Sequence, residues 1–486
     1  MADAPAEPAD HQGPFEPLAR WLDALPPVVI GLALVGIALA AYWLPGSDRF
    51  YNHFVWQADA FLHGRAMISW PVQPSAGNPG DAYFQDVYPV YDANGQPIGA
   101  LLPFPPLPAI ILMPFVALWG LSTDHRAVSV VLGAIDVGIA WWALGRLAVS
   151  RGIRLATTLF FAFGTVFWYA AQLGTTWFFA HVVAVTFALL AVGLALGGDR
   201  AADDEAEGLP SLGELGSSIT AALRAPARLI DGRQFLAGLL FGLACTARLT
   251  VAFGAPFFVL VGSGGSWVRR AVSAGLGAAI PVALLLGYNL ATTGHVFHPG
   301  YDSQYQLEAR GYPSLDYHAD WQIEDARYLP QNLGILFLST PAILPDHLPA
   351  TLGGDGDPVC TDPGAIRGLF DKSCPLAVPR AIGMSIILTS PAYLFLISAL
   401  RGGRSRLVAG AFLAVVAIGV VNLMHFSQGW VQFGYRFSND FVPFALPLVA
   451  IGMARRNRVG LLGVVLIGLS IAVNFWGVIW GNILGW

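Results

Sequence analysis

Residues 235–261 read FLAGLLFGLACTARLTVAFGAPFFVLV, 27 residues that carry a single charge, Arg248, at their middle. A continuous helix of that length would be about 40 Å long, against about 30 Å of bilayer hydrocarbon. An arginine inside an apolar run costs several kcal/mol unless it reaches water or a partner. The stretch is therefore read as two short apolar segments, 234–247 and 249–264, that meet at Arg248 close to a membrane surface. Similar runs with almost no charge cover 27–43, 271–290 and 407–424. Across all 486 residues, 55 % are hydrophobic and 12 % charged, about half the charge of a typical soluble domain. Such a surface cannot face water everywhere, so the chain is a polytopic membrane protein whose first partner is the lipid bilayer. A secreted enzyme and a soluble Rossmann protein are excluded. The net charge of −5 comes with no basic arm, which excludes a nucleic-acid partner.

Arginine placement orders the crossings, because short cytoplasmic loops collect the basic residues. Five clusters stand out: Arg146/Arg151/Arg154, Arg200 through Arg233, Arg269/Arg270, Arg401/Arg404/Arg406 and Arg455/Arg456/Arg458. Placing all five inside demands an even number of spans between neighbours. This holds if the run 101–121 stays at the outer interface, where four prolines in its first half disfavour a full span. The expectation is an all-α bundle of about eleven transmembrane helices, near 28–45, 127–145, 154–173, 177–197, 234–247, 249–264, 271–292, 381–400, 407–425, 441–454 and 459–480. Residues 1–27, acidic and proline-rich, form a disordered cytoplasmic tail, and 198–233 a cytoplasmic linker with a short amphipathic helix. The transmembrane core 28–197 carries a first outer loop at 46–126. Helices at 234–293 precede a second outer region at 294–380, and C-terminal helices fill 381–486. Every basic residue but Lys372 is arginine, the skew of a GC-rich, bacterial genome, which puts the protein in a bacterial inner membrane.

Cys245 lies within a span and reads as a small core residue. Cys360 and Cys374 lie in the second outer region, where a disulfide closing their 15-residue loop would add about 3 kcal/mol of order. Two free thiols or a weak metal site are the alternatives. In the first outer loop, Phe54, Ala58, Phe61 and Leu62 share one face of an interfacial helix, bracketed by the carboxylates Asp48 and Asp59. His53 and His63 stand beside them, and His181 at the start of a later span. The segment GWVQFGYRFSNDFVP, 429–443, places Arg436 among the interface aromatics Trp430, Phe433 and Tyr435. Its Asn439 and Asp440 lead into a span. The second region holds Tyr288-Asn289, His295, His298, Gly300-Tyr301-Asp302, His318, Asp320, Glu324 and Asp325. Its density of acids and histidines is compatible with a divalent metal, but no spacing singles out ligands.

The order of these elements resembles the membrane glycosyltransferases of the GT-C superfamily, in the branch of the protein O-mannosyltransferases and the lipid A aminoarabinose transferase. The matching pieces are Asp48 after the first span, Ala58 to Gly64, Pro105-Pro106-Leu107-Pro108, Arg126 at the next span, and Gly145-Arg146-Leu147. Gly174-Thr175 to His181 follows, with a histidine at the place of the family's acid, and then Gly242-Leu243 to Arg248 with one residue inserted. The resemblance runs from about 28 to 454. It implies an inverting transfer of a sugar from a polyprenyl-phosphate donor to an acceptor hydroxyl on a glycan, lipid or protein, at an extracytoplasmic site. A first-loop acid would serve as base.

That chemistry needs a carboxylate within reach of the hydroxyl, here Asp48 or Asp59, and cations for the leaving phosphate, here Arg248, Arg126, Arg436 and His181. His53, Tyr435 and Tyr301 complete the expected substrate contacts. A lipid or sugar transporter is the alternative, which would show two similar halves and paired broken helices. A scaffold without activity is a third, given the histidine at 181.

Overall fold

The computed structural model describes residues 24–44, 51–70, 86–200, 230–300, 320–349, 355–401, 405–429, 431–454 and 458–486, together with residues 213 and 220. Asp48, Tyr301, Trp430, nearly all of the 1–27 tail and most of the 198–233 linker lie outside the described residues. The chain is mostly helical, about 65 %. Five described helices are long and apolar enough to cross a membrane: His125–Leu144, Thr176–Asp199, Trp267–Thr293, Arg406–Met424 and Leu461–Leu484. A sixth arises if Arg151–Phe163 and Phe167–Leu173, bent by 50° at their break, count as one span.

These five or six long helices do not by themselves give the expected count of about eleven spans. The other five expected runs form shorter or interrupted apolar helices: Pro27–Trp43, Gly232–Cys245, Leu249–Leu260, Ser438–Met453, and a broken piece from Pro391 to Leu400. Proline explains the last of these. Pro391 cannot donate a helical hydrogen bond, and the expected 381–400 span breaks there into Ile386–Thr389, a 3-10 turn at Pro391–Leu394, and Phe395–Leu400. Nor is the chain purely α. Three two-stranded antiparallel sheets, pairing Tyr88–Tyr91 with Pro97–Leu101, Ala342–Ile343 with Ala377–Val378, and His347–Pro349 with Asp355–Pro358, occupy the two regions expected outside the bundle.

Side-chain caps and arginines mark one end of the bundle. The side chains of Ser150, Asp231, Ser266 and Ser405 accept from the amides of Ile153, Gln234, Arg269 and Val408, capping four helix N-termini just ahead of arginines. At this end Arg151 donates to the Leu25 carbonyl at 2.8 Å and Arg233 to Leu194 at 3.1 Å. Arg154 lies 3.5 Å from the Trp141 ring centroid, and Arg406 sits 4.0 Å from Asp199. At the other end, Gly174 and Gly294 adopt the left-handed conformation that closes a helix, at φ 64° and 74°. The His53–Leu62 helix, the Leu107–Trp119 helix and Arg248 gather there. Four arginine groups thus share one end, and the outer-loop elements share the other.

Small residues set the closest packing. At Gly238 an added Cβ would strike the Ala274 backbone, and at Gly277 the Phe235 carbonyl, so Gly232–Cys245 and Trp267–Thr293 approach backbone to backbone. Beyond the bundle, residues 342–349 and 355–378 form a stapled unit. Cys360 and Cys374 are disulfide-bonded, and Leu348, Val359 and Val378 pack on the fully buried Trp480 of the last helix.

Candidate functional site

The break at Arg248 places a guanidinium against a carboxylate 192 residues away. Helix Gly232–Cys245 ends with the Thr246 amide bonded to the Gly242 and Leu243 carbonyls, and the chain resumes as a 3-10 turn at Leu249–Gly254. Arg248, extended at φ −142°, lies between the two. Its Nε donates to Asp440 Oδ1 at 3.2 Å and its Nη2 to Oδ2 at 3.1 Å, the two-pronged geometry that suits guanidinium and carboxylate. Asp440 is fully buried in the first turn of Ser438–Met453 and is supported on every side. Thr250 Oγ1 donates to it at 2.7 Å and Asn422 Nδ2 at 3.2 Å, and His181 Nδ1 lies 2.8 Å from Oδ1.

His181 enters this group because Gly174 ends one helix and Thr176 begins the next, which puts His181 a little over one turn inside Thr176–Arg200. With Nδ1 held by Asp440, Nε2 is buried and makes no hydrogen bond among the described residues. The carboxylate thereby sets the ring's orientation and favours the tautomer with its proton on Nδ1.

Phe437 is the hub beside this carboxylate. Arg248 and Arg436 each lie 5.3 Å from its ring centroid, and the rings of His181 and Tyr435 are each 6.0 Å away. Arg436 also faces the Phe178 ring at 5.4 Å. The turn before it depends on Gly429, at φ 101°, where a Cβ would collide with the Arg436 guanidinium. Gln432 fixes the same turn by donating to the Gln428 carbonyl at 2.6 Å and to Ile382 at 3.1 Å. The result is two guanidiniums, an imidazole and aromatic faces around one clamped carboxylate, a set of groups able to hold an anion beside a ring-shaped ligand.

Of the residues expected at the site, Arg248, His181, Arg436 and Tyr435 are brought together. Tyr435 is buried, and its hydroxyl makes no hydrogen bond among the described residues. Arg126 lies at the same end of the bundle with its guanidinium on main-chain carbonyls, Gln172 at 3.0 Å and Trp43 at 2.9 Å, where it ties the first helix to the turn before Thr176. His53 is buried, its Nδ1 2.9 Å from Thr176 Oγ1 and its ring 5.8 Å from Trp177. It docks the first-loop helix on the helix that carries His181. Asp59 stands on that docked helix, partly buried and 3.5 Å from both Arg65 and His63. Among the described residues, no hydrogen bond or ion pair joins it to Asp440 or Arg248. Asp48 and Tyr301 lie outside the described residues.

Two acids gain importance that residue types alone did not give them. Asp440 reads in sequence as an ordinary first-turn acid, and only its position ahead of the apolar run FVPFALPLVA marks it. Asp86 is the other. It adopts φ 59°, uncommon for a non-glycine residue, and accepts from Trp177 Nε1 at 2.6 Å. It is therefore a first-loop carboxylate held four residues from His181 along the same helix. Among the described residues, no group of three or more His, Cys, Asp or Glu side chains could hold a metal ion.

No family model matches the chain, and no curated protein does. Among solved structures it is similar to the crystal structure of the oligosaccharyltransferase of Archaeoglobus fulgidus in the apo form. The TM-score is 0.41 and the identity 12 %, over 93 % of this chain and 55 % of that one. The chain thus spans about half the length of that structure.

Proposed function

We propose that the protein is an inverting membrane glycosyltransferase of the GT-C type, moving a sugar from a polyprenyl-phosphate donor to an acceptor hydroxyl. The observation that carries this reading is the Asp440 clamp. A buried carboxylate holds Arg248 and orients His181, with Arg436 and the Phe437 and Tyr435 rings beside them. Charge develops on the departing phosphate as the glycosidic bond breaks, and preset cations stabilise it without reorganising. Arg248 and Arg436 are the donors for that oxygen, and the aromatic faces suit the sugar ring. The acceptor hydroxyl gives its proton to a first-loop carboxylate, for which Asp86, Asp59 and Asp48 are the candidates.

The arginine groups lie at the end of the bundle opposite this cluster. With basic loops inside, the reaction takes place at the extracytoplasmic face of a bacterial inner membrane, and the acceptor is a cell-envelope glycan, lipid or protein.

The test is reconstitution in liposomes with a panel of polyprenyl-phosphate sugars, following label transferred to an acceptor fraction. Arg248→Ala and Arg436→Ala should each remove most transfer, and one of Asp86→Ala, Asp59→Ala and Asp48→Ala should abolish it. Absence of transfer by the wild-type chain with every donor would reject the reading. The bent pair Arg151–Phe163 and Phe167–Leu173 is a feature that transporters also use, so the same liposomes should be assayed for lipid or sugar movement without bond cleavage.

A further inference from the structure

The stapled unit 342–378 carries apolar side chains that its own small core does not use. Ile366 is 89 % exposed, Leu369 52 % and Phe370 39 %, all within the loop closed by Cys360 and Cys374. Ile343, Leu344 and Leu376 are exposed beside them, brought close by the Ala342–Ile343 pairing and the Leu344 amide on the Leu376 carbonyl. A contiguous apolar patch of this kind marks a surface that meets something other than water. The loop is not loose. Arg367 donates to the carbonyls of Pro345 and Pro375, both at 2.9 Å, and Gly368 to that of Cys374, also at 2.9 Å.

What the patch meets follows from where it is fastened. Trp480 Nε1 donates to the Leu369 carbonyl at 3.0 Å, and the Phe370 ring lies 6.3 Å from that of Phe475. Both anchors belong to Leu461–Leu484, a candidate membrane span of 24 residues. A helix of that length is about 36 Å long, roughly 6 Å more than the hydrocarbon thickness. Phe475 lies nine residues before Leu484, about 13 Å below the helix end. Even if all the excess protrudes on that side, Phe475 sits some 7 Å inside the hydrocarbon boundary. Phe475 is itself 47 % exposed and Leu469 50 %, so this side of the helix faces lipid and the loop's apolar patch continues it.

We propose that the disulfide-closed unit 342–378 rests in the outer part of the bilayer, with Ile366, Leu369 and Phe370 against acyl chains. Asp371, bonded to the Ser373 hydroxyl at 2.7 Å, and Lys372 follow directly and stay at headgroup level, which sets a shallow insertion of about 5–10 Å. The inference rests on the last helix being a span and is independent of the glycosyltransferase reading.

Spin labels placed singly at Ile366→Cys, Phe370→Cys, Leu469→Cys and Asp362→Cys, in a Cys245→Ala background reconstituted in nanodiscs, test it. Non-reducing mass spectrometry on each variant checks that Cys360 and Cys374 remain paired. Positions 366 and 370 should favour molecular oxygen over a water-soluble nickel complex as position 469 does, with 362 favouring nickel. Nickel access at 366 and 370 equal to that at 362 would overturn the proposal. So would protection from both reagents, which would mean a covering protein surface. A nickel-accessible 469 would remove the membrane-span premise itself.

Discussion

Removing both charges of the Asp440 clamp together should cost less than the two single removals summed. Asp440 receives two bonds from Arg248 and one each from Thr250 and Asn422, with His181 at 2.8 Å, and its carboxylate is fully buried. Losing one partner of a buried pair typically costs about 3–5 kcal/mol, because the other charge is left uncompensated. Arg248 retains 20 % of its side-chain exposure, so water can take over part of its lost bonds, and the Asp440→Asn cost should fall near 3 kcal/mol. Arg248→Met leaves a dry carboxylate with its neutral partners and should cost a similar amount. The double variant Arg248→Met/Asp440→Asn carries neither charge, and its cost should fall short of the sum of the singles by at least about 1.5 kcal/mol. The assay is unfolding in one fixed mixed-micelle system, followed by tryptophan fluorescence across the four proteins of the cycle. Singles that add to the double within about 0.5 kcal/mol would show that the two residues are not coupled. The clamp, and the orientation of His181 that depends on it, would then be dismissed.

Three further outcomes follow from other parts of the molecule. His298, outside the spans, accepts from the Gly300 amide at 3.0 Å, and burial holds its imidazole down at about 4 from the usual 6.5. Between those values the unfolded chain binds a proton that the folded one refuses, so stability is complete above pH 6.5 and falls as pH drops toward 4. His298→Gln should flatten that slope in thermal unfolding scans, and an unchanged slope would refute the assignment. Cys374→Ser should lose about 3 kcal/mol of loop order and speed proteolytic cutting within 360–374, with the helices intact by circular dichroism; equal cutting rates would contradict the stapled unit. Gly238→Val inserts a side chain into the Ala274 backbone and should cost about 1–3 kcal/mol, whereas Gly275→Val, at an open position on the partner helix, should cost less.

The division of 235–261 at Arg248 was legible because one guanidinium in an apolar run has few places to go. Its partner was not, since Asp440 is remote in sequence and resembles any acid at the start of a helix. His181 was legible only by its position at a span's beginning, and the atom that turns its ring belongs to that same distant acid. Asp86 was invisible for another reason. Its significance lies in a backbone angle and in one indole bond to Trp177, neither of which residue type reveals. The arginine clusters ordered the helix ends because basic residues collect in short loops on one side of a membrane, and the capped starts Ser150-Arg151 and Ser405-Arg406 lie at that end. The number of spans was harder to read. Pro443 and Pro447 are accommodated inside Ser438–Met453, whereas Pro391 ends a helix, and tertiary packing decides between these outcomes.

The amide of Leu107, which opens the proline-rich helix Leu107–Trp119, donates to the carbonyl of Thr246 at 3.2 Å, two residues ahead of Arg248. The segment before it, with prolines at 103, 105 and 106, has few torsions left to absorb a displacement. A displacement of Arg248 would therefore be felt at the start of Leu107–Trp119 through the Thr246 carbonyl. Arg248 and Leu107–Trp119 are thus joined through one amide, and Leu107→Pro, which removes that donor at a position where a helix tolerates proline, is the change that would uncouple them.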